Sequence, residues 1–264
     1  MRLLSLGCGN MGAAILSGVA RQNPDAEIGA IDPNTDSARA KLPATAGAAC
    51  FASADEAREF RPDIVLLAVK PQQFTAIATD LGALWSGALI VSVMAGTTVQ
   101  SIADALGARR VVRVMPNLPA MIGAGMSVGY ADGIRDADRD QVARVFQAVG
   151  AFRWLQSEAQ IDACTAVSGS GPGYLFAFAA WLEQAATAEG LPPELAAALT
   201  RQTLYGAALM LRDDPRTATA LKQAVTSKGG TTAAGLAVLE AAGALPELLP
   251  AAVRAAHQRA RELS

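Results

Sequence analysis

The chain has 264 residues, more than one average domain and fewer than two large ones, so it holds either one large α/β unit or two unequal domains. It is 52% hydrophobic and 17% charged with a formal net charge of −2, which excludes a disordered chain and any global attraction to nucleic acid or anionic lipid. One histidine (His257) and three separated cysteines (Cys8, Cys50, Cys164) make neither a disulfide framework nor a zinc signature, and no metal site is expected.

Three long runs, residues 81–103, 114–131 and 163–182, carry no Asp, Glu, Lys or Arg. Length alone would let them span a bilayer. Their interiors argue against it: Ser86-Gly87, the turn from Met94 to Thr98, Met115-Pro116-Asn117 and the stretch from Ser168 to Gly173 would put turn chemistry into hydrocarbon. The apolar start is too short, and reaches glycine too early, for a secretory leader. The expectation is a cytoplasmic protein with no membrane or nucleic-acid partner.

In chain order, residues 2–6 form a short apolar run ending in glycines, and residues 10–20 follow with helical spacing. Residues 27–31 are the next strand, stopped by Asp32-Pro33-Asn34. Residues 64–69 end at Lys70-Pro71, residues 88–94 at Ala95-Gly96, and residues 111–115 at Pro116; residues 127–130 add a further candidate. Helical patterns fall between them at 35–42, 73–81, 99–106 and 136–149. Strands apolar on both faces and separated by helices predict a doubly wound parallel sheet with ligands at the carboxyl ends of its strands.

After a short run at 152–155 the pattern turns all-helical: residues 163–189, 193–211, 217–225, 233–242 and 245–263, punctuated by Pro192-Pro193, Asp213-Asp214-Pro215, Gly229-Gly230 and Gly243. The boundary is expected near residue 156. The fold class is therefore α/β, a doubly wound sheet over 1–156 followed by an all-α domain over 157–264 that completes its apolar core by dimerising.

Gly7-Cys8-Gly9-Asn10-Met11-Gly12 has the G-x-G-x-x-G spacing between the first strand and first helix. The first glycine permits the tight turn, the second admits a pyrophosphate to the backbone, and the third lets helix and strand pack closely. Asp32 stands twenty residues beyond Gly12, either to accept the ribose hydroxyls of NAD or to serve as a turn residue. Asn34 and its neighbours offer donors to a 2′-phosphate, so NADPH and NADH both stay open. Ala68, Val69, Lys70 and Pro71, with Ala95 and Gly96, end the strands where the rest of a dinucleotide would lie. Lys70 is a loop anchor or cofactor contact before it is a proton donor.

The segments Gly7 to Gly12, Ala68-Val69-Lys70-Pro71, Arg113-Val114-Met115-Pro116-Asn117, Asp162 to Pro172 and Val225 to Thr232 together resemble the Δ1-pyrroline-5-carboxylate reductase family, in the family's order and over nearly the whole chain. The Ser-Gly-Ser-Gly-Pro and Gly-Gly-Thr-Thr stretches are far more specific than the glycine turn. The resemblance implies reduction of the cyclic imine of pyrroline-5-carboxylate to L-proline by NADPH or NADH, an N-terminal Rossmann domain, and a C-terminal helical domain that builds a homodimer, assembled in some members into a decamer. It further implies that Ser227, Gly229, Gly230, Thr231 and Thr232 hold the substrate carboxylate, with the catalytic Thr232 hydroxyl near the ring nitrogen. Asn117 joins the substrate-binding set, as does Glu158, four residues before Asp162 where the family often has an acid; Glu158 reads equally as an acid at a helix N-terminus. Lys228 departs from the family's usual proline, and Gly173 from its common alanine.

The residues agree on their own terms, since a Ser-x-Gly-Gly-Thr-Thr turn opening a helix offers free N–H groups and two hydroxyls, either to a carboxylate or merely as a helix start. A protonated imine is already a strong hydride acceptor, so a protein with one histidine suffices. The rival readings are a β-hydroxyacid dehydrogenase or other imine reductase of similar plan, and a dinucleotide-binding module without turnover. Cys8 reads as a small filler and His257 as a surface or interface residue.

Overall fold

In the computed structural model, which describes residues 1–43, 47–85 and 87–263, β1 (Arg2–Leu6) has Leu3, Leu4, Ser5 and Leu6 all buried. A strand shielded on both faces belongs in the middle of a parallel sheet. It pairs in parallel with β2 (Glu27–Ile31) on one side and β4 (Ile64–Leu67) on the other, and β2 pairs with a short β3 (Ala49–Phe51). Then come β5 (Leu89–Ser92), β6 (Val111–Met115), β7 (Gly125–Tyr130) and β8 (Gly150–Trp154), giving the order β3-β2-β1-β4-β5-β6-β7-β8. The order reverses between β1 and β4, and the crevice outside their carboxyl ends is where such a sheet takes its ligand.

Helices cover both faces. On α1 (Asn10–Gln22) the residues Gly12, Ala13, Ile15, Leu16 and Val19 form one buried stripe, and with α5 (Asp136–Gln147) they close the core around Leu3, Leu66, Phe146 and Phe152. Full burial of a side chain the size of Ile15 or Leu16 contributes roughly 1.5–3 kcal/mol. On the other face, α3 (Pro71–Trp85) and α4 (Val99–Leu106) bring Phe74, Trp85, Ile102 and Leu106 onto Leu4, Leu67 and Ile90. Between β2 and β3 the chain forms α2 (Thr35–Lys41), whose Asn34 caps it by accepting the Ser37 N–H.

Three features depart from the sequence expectation. β3 is an added edge strand. β7 runs antiparallel to β6, because the link from Met115 to Gly125 holds only a short 3-10 turn (Leu118–Ile122), whereas a parallel return needs about a dozen residues or more. The helix expected at 163–189 is broken: α6 (Gln160–Cys164) runs into a π-helical turn at Thr165–Gly169, and α7 (Gly171–Ala188) starts afresh. Ser86, expected in the turn before β5, lies outside the described residues.

The chain divides into two compact units, residues 1–170 with the C-terminal end from Ala256, and residues 171–255. The sheet ends at Trp154, and α6 and the π turn stay with the sheet unit, where Ile161 and Ala166 are buried. The second unit is built from α7, α8 (Pro193–Asp213), α9 (Ala218–Ala224), α10 (Thr231–Leu239) and most of α11 (Leu245–Leu263), with α7 packed along α8. Within it only Ala196 and Thr200 are buried, while Leu175, Phe176 and Trp181 are at least 60% exposed. Among the described residues no helix is long and apolar enough to cross a membrane.

Candidate active site

The glycine-rich turn leaves β1 and enters α1 at the carboxyl edge of the sheet. Gly7 has φ +90°, and a Cβ there would press within 2.7 Å of the Ala68 carbonyl, while a Cβ on Gly12 would lie 2.5 Å from the Gly7 carbonyl. Only glycine meets both demands. Gly9 is the N-cap of α1, exposed and without a side-chain cap, so the first N–H groups of the helix face outward unsatisfied. Asn10 is exposed and Met11 half-buried beside it, whereas Cys8 is buried. Burial, reinforced by the charge of Asp32, pushes the Cys8 thiol up to about 11, so it is a filler and not a nucleophile at neutral pH.

A cleft of about 1110 Å³ opens beside this turn, lined by Gly7, Gly9, Asp32, Asn34, Ala68, Val69 and Lys70. Seven of the residues expected to bind cofactor thus meet on one surface, at the switch point of the sheet. The cleft continues past Ser53, Asp55 and Arg58, which follow the unforeseen β3 and carried no signal in the sequence. Asp32 is half-buried, with Oδ2 accepting the Cys8 N–H at 3.1 Å and Oδ1 the Asn34 N–H at 3.0 Å. Lys41 donates to the Cys8 carbonyl at 3.1 Å. The Lys70 side chain is exposed, its backbone N–H turned to Gln73, and Pro71 opens α3. An uncapped helix start, two glycines that keep the backbone bare and a carboxylate one strand over suit a dinucleotide's pyrophosphate and ribose.

Ala95 and Gly96 follow β5 and do not line this cleft; Ala95 is exposed, and Gly96 backs onto the Leu263 carbonyl at the end of α11. Their loop is held by Glu158, whose Oε1 accepts the Val99 N–H at 2.8 Å and pairs with Arg113 Nη1 at 3.2 Å. Arg113 is 2% exposed, and its second terminal nitrogen lies 3.8 Å from Asp162. The signal for this buried pair is a lone cation in the apolar strand Val111–Met115, and its bracing role was not foreseen. Asn117, at the end of β6, spends its oxygen on the Met126 N–H and its amide on the Ser168 carbonyl. Glu158 and Asn117, both expected at the substrate, therefore lie in the sheet unit and brace α6 and the π turn.

The Ser227–Thr232 segment belongs to the helical unit. Gly230 is the N-cap of α10 without a side-chain cap, its own N–H donating to the Ser227 carbonyl at 3.1 Å. Ser227, Lys228, Gly229, Thr231 and Thr232 are exposed, with Gly230 half-buried. The turn thus presents the free N–H groups of a helix start and three hydroxyls to the outside. His257 is half-buried on α11. Among the described residues no three His, Cys, Asp or Glu side chains converge closely enough to hold a metal ion.

Known proteins show the same plan. The family described as pyrroline-5-carboxylate reductase dimerisation matches residues 158–263, and one described as NADP oxidoreductase coenzyme F420-dependent matches residues 3–96. A pyrroline-5-carboxylate reductase of Pseudomonas aeruginosa is 40% identical over 100% of this chain and 97% of its own length. The chain belongs to the pyrroline-5-carboxylate reductase family. The solved structure of a pyrroline-5-carboxylate reductase from Coxiella burnetii superimposes with a TM-score of 0.90 at 33% identity, covering 99% of this chain and 98% of its own. Another, from Plasmodium falciparum with NADP bound, has a TM-score of 0.83 at 28% identity, covering 100% and 98%. Within this family the N-terminal sheet is the Rossmann-type unit and residues 158–263 fall in the dimerisation domain.

Proposed function

We propose that the chain reduces Δ1-pyrroline-5-carboxylate to L-proline with NADPH or NADH as hydride donor. The observation that carries this reading is full-length similarity to a pyrroline-5-carboxylate reductase in a chain whose switch-point cleft fits a dinucleotide. When bound, the dihydronicotinamide supplies the hydride. The protein's own work is to hold, orient and shield. Gly7, Cys8, Gly9, Asn10, Met11 and Gly12 take the pyrophosphate on the start of α1, Asp32 and Asn34 face the adenosine ribose, and Ala68 to Pro71 with Ala95 and Gly96 line the path toward the nicotinamide.

In the helical unit, Ser227, Gly229, Gly230 and Thr231 hold the substrate carboxylate, and the Thr232 hydroxyl orients the ring nitrogen. The imine carbon of a protonated ring accepts hydride without an acidic side chain. Within the sheet unit, Glu158 and Asn117 fix the loop after β5 and the π turn. Thr232 is exposed in the single chain, and we assign the surface that covers this unit to a second copy, making a homodimer through residues 157–264 and, by repetition, a decamer. A cytoplasmic setting fits the three unpaired cysteines.

The test is NADPH and NADH oxidation with pyrroline-5-carboxylate, run against a panel of 3-hydroxyacids. Imine-dependent oxidation supports the reading, and turnover of a hydroxyacid alone, or cofactor binding with no turnover, overturns it. Thr232→Ala is expected to reduce kcat about 100-fold, the scale of one positioned hydrogen-bonding group. Full activity of this variant at every pH would remove the role assigned to Thr232.

A further inference from the structure

We propose that Asp32 makes this protein prefer NADH over NADPH, an inference that rests on the dinucleotide reading of the cleft. The sequence left the choice open because the turn after β2 offered donors for a 2′-phosphate. In the structure the backbone of Pro33 and Asn34 offers no donor. Pro33 has no N–H. The Asn34 N–H is given to Asp32 Oδ1 at 3.0 Å, and the Asn34 side-chain oxygen accepts the Ser37 N–H at 2.9 Å, so what the turn still offers, the Asn34 amide and the Thr35 hydroxyl, are neutral donors that leave the charge of Asp32 in place.

Asp32 itself keeps what a ribose diol needs. A carboxylate has about four acceptor positions, and one bond to Cys8 N–H and one to Asn34 N–H leave acceptor capacity on both oxygens. Two ribose hydroxyls are donors and match it. A 2′-phosphate at neutral pH brings only acceptors and negative charge.

The surrounding charges do not offset this. In the cleft Arg58 is paired with Asp55 at 2.8 Å, so that pair contributes little net charge. Lys70 lies after β4, on the opposite side of β1 from Asp32. Asp36 and Arg39 of α2 form an exposed pair at 3.8 Å. The remaining cation is Lys41, whose ammonium is bonded to the Cys8 carbonyl. Among the described residues no Lys or Arg forms an ion pair with Asp32.

The experiment is isothermal titration of the full-length protein with NADH and with NADPH, without substrate, so that binding is read apart from turnover. We expect NADH to bind about tenfold or more tightly, the scale of an unneutralised like-charge contact near a protein surface. Asp32→Ser and Asp32→Asn should each bring the ratio of the two dissociation constants toward one or past it. Lys41→Ala should weaken both cofactors alike. A wild-type ratio that is flat or favours NADPH overturns the proposal, as does an unchanged ratio in both Asp32 variants or a selective loss of NADPH in Lys41→Ala. If imine reduction fails while the titration favours NADH, the catalytic reading falls and this one stands. If reduction proceeds best with NADPH and the titration agrees, the reverse holds.

Discussion

The side-chain amide of Asn117 donates to the Ser168 carbonyl at 3.0 Å, while its oxygen accepts the Met126 N–H at 2.8 Å. Pro172, four residues beyond Ser168, has no N–H to return in the ordinary helical pattern, so the freed carbonyl finds its donor in the sheet. One side chain thereby joins the end of β6, the start of β7 and the π turn. Such turns collect at functional sites.

Asn117→Ala is therefore expected to lose about 1–2 kcal/mol of stability, the scale of two hydrogen bonds between half-buried groups. Asn117→Asp keeps an acceptor for Met126 and loses the donor to Ser168. If Asn117 instead served substrate alone, both variants would raise KM and leave the denaturation midpoint unmoved. Urea unfolding alongside steady-state kinetics separates the two.

Removing the partner of a buried charge is costlier. Glu158→Ala leaves the Arg113 guanidinium, 2% exposed, with Asp162 at 3.8 Å as its remaining carboxylate among the described residues and frees the first N–H of α4. A loss of about 3 kcal/mol is expected, with Glu158→Gln intermediate because it still accepts a hydrogen bond. Thermal unfolding of the three proteins checks the order.

Acid should find Asp138. This carboxylate, 1% exposed in the first turn of α5, accepts from Arg135 Nη2 at 2.8 Å and from Arg110 Nη1 at 3.0 Å. The hydrogen bond from Arg135 holds its carboxyl below the usual range against the opposing effect of burial. The folded value lies below the unfolded one, so the group's contribution is present at neutral pH and vanishes as pH falls through the folded value. The urea midpoint should drop as pH falls below the ordinary carboxylate range, and Asp138→Asn should be less stable at pH 7 with a shallower acid limb. Equal acid slopes in the two proteins would contradict this.

Gly12→Ala places a methyl group 2.5 Å from the Gly7 carbonyl and must displace the turn. Overpacking of this kind costs about 1–3 kcal/mol, and here it falls on the cofactor cradle. Dinucleotide affinity is expected to fall about tenfold or more while helix content by circular dichroism stays near wild type.

The thiols give a chemical check. Cys8 is buried, with its thiol at about 11, while Cys50 and Cys164 are half-buried. Alkylation at pH 8 should label Cys8 last and release it only on unfolding. Early labelling at Cys8 would mean that the glycine turn opens in the native state.

Much of this was legible in the residues because periodicity and punctuation report burial. β1, β2, β4, β5 and β6 are runs of aliphatic side chains ended by Gly, Pro or Asp, and the glycine spacing places the first turn. β3 was invisible because three half-buried residues on a sheet edge carry no period. The direction of β7 follows from the length of a loop and a topology, not from its side chains. The hydrogen bonds of Asn117 and Glu158 could not be read from the motif, because a motif gives residue types, whereas the partners Met126, Ser168, Val99 and Arg113 are set by the fold. The π turn needed both ends of that pattern at once.

The scarcity of buried residues in 171–255 bears on how the protein comes to be folded at all. With only Ala196 and Thr200 hidden, five helices lack an interior of their own, so completing this half is a bimolecular event governed by mass action. A newly made chain should fold its sheet first and carry helices open to proteases until another surface meets them. The unfolding temperature should then rise with protein concentration, and dilution alone should expose sites in α7 and α8 to cleavage while the sheet remains intact.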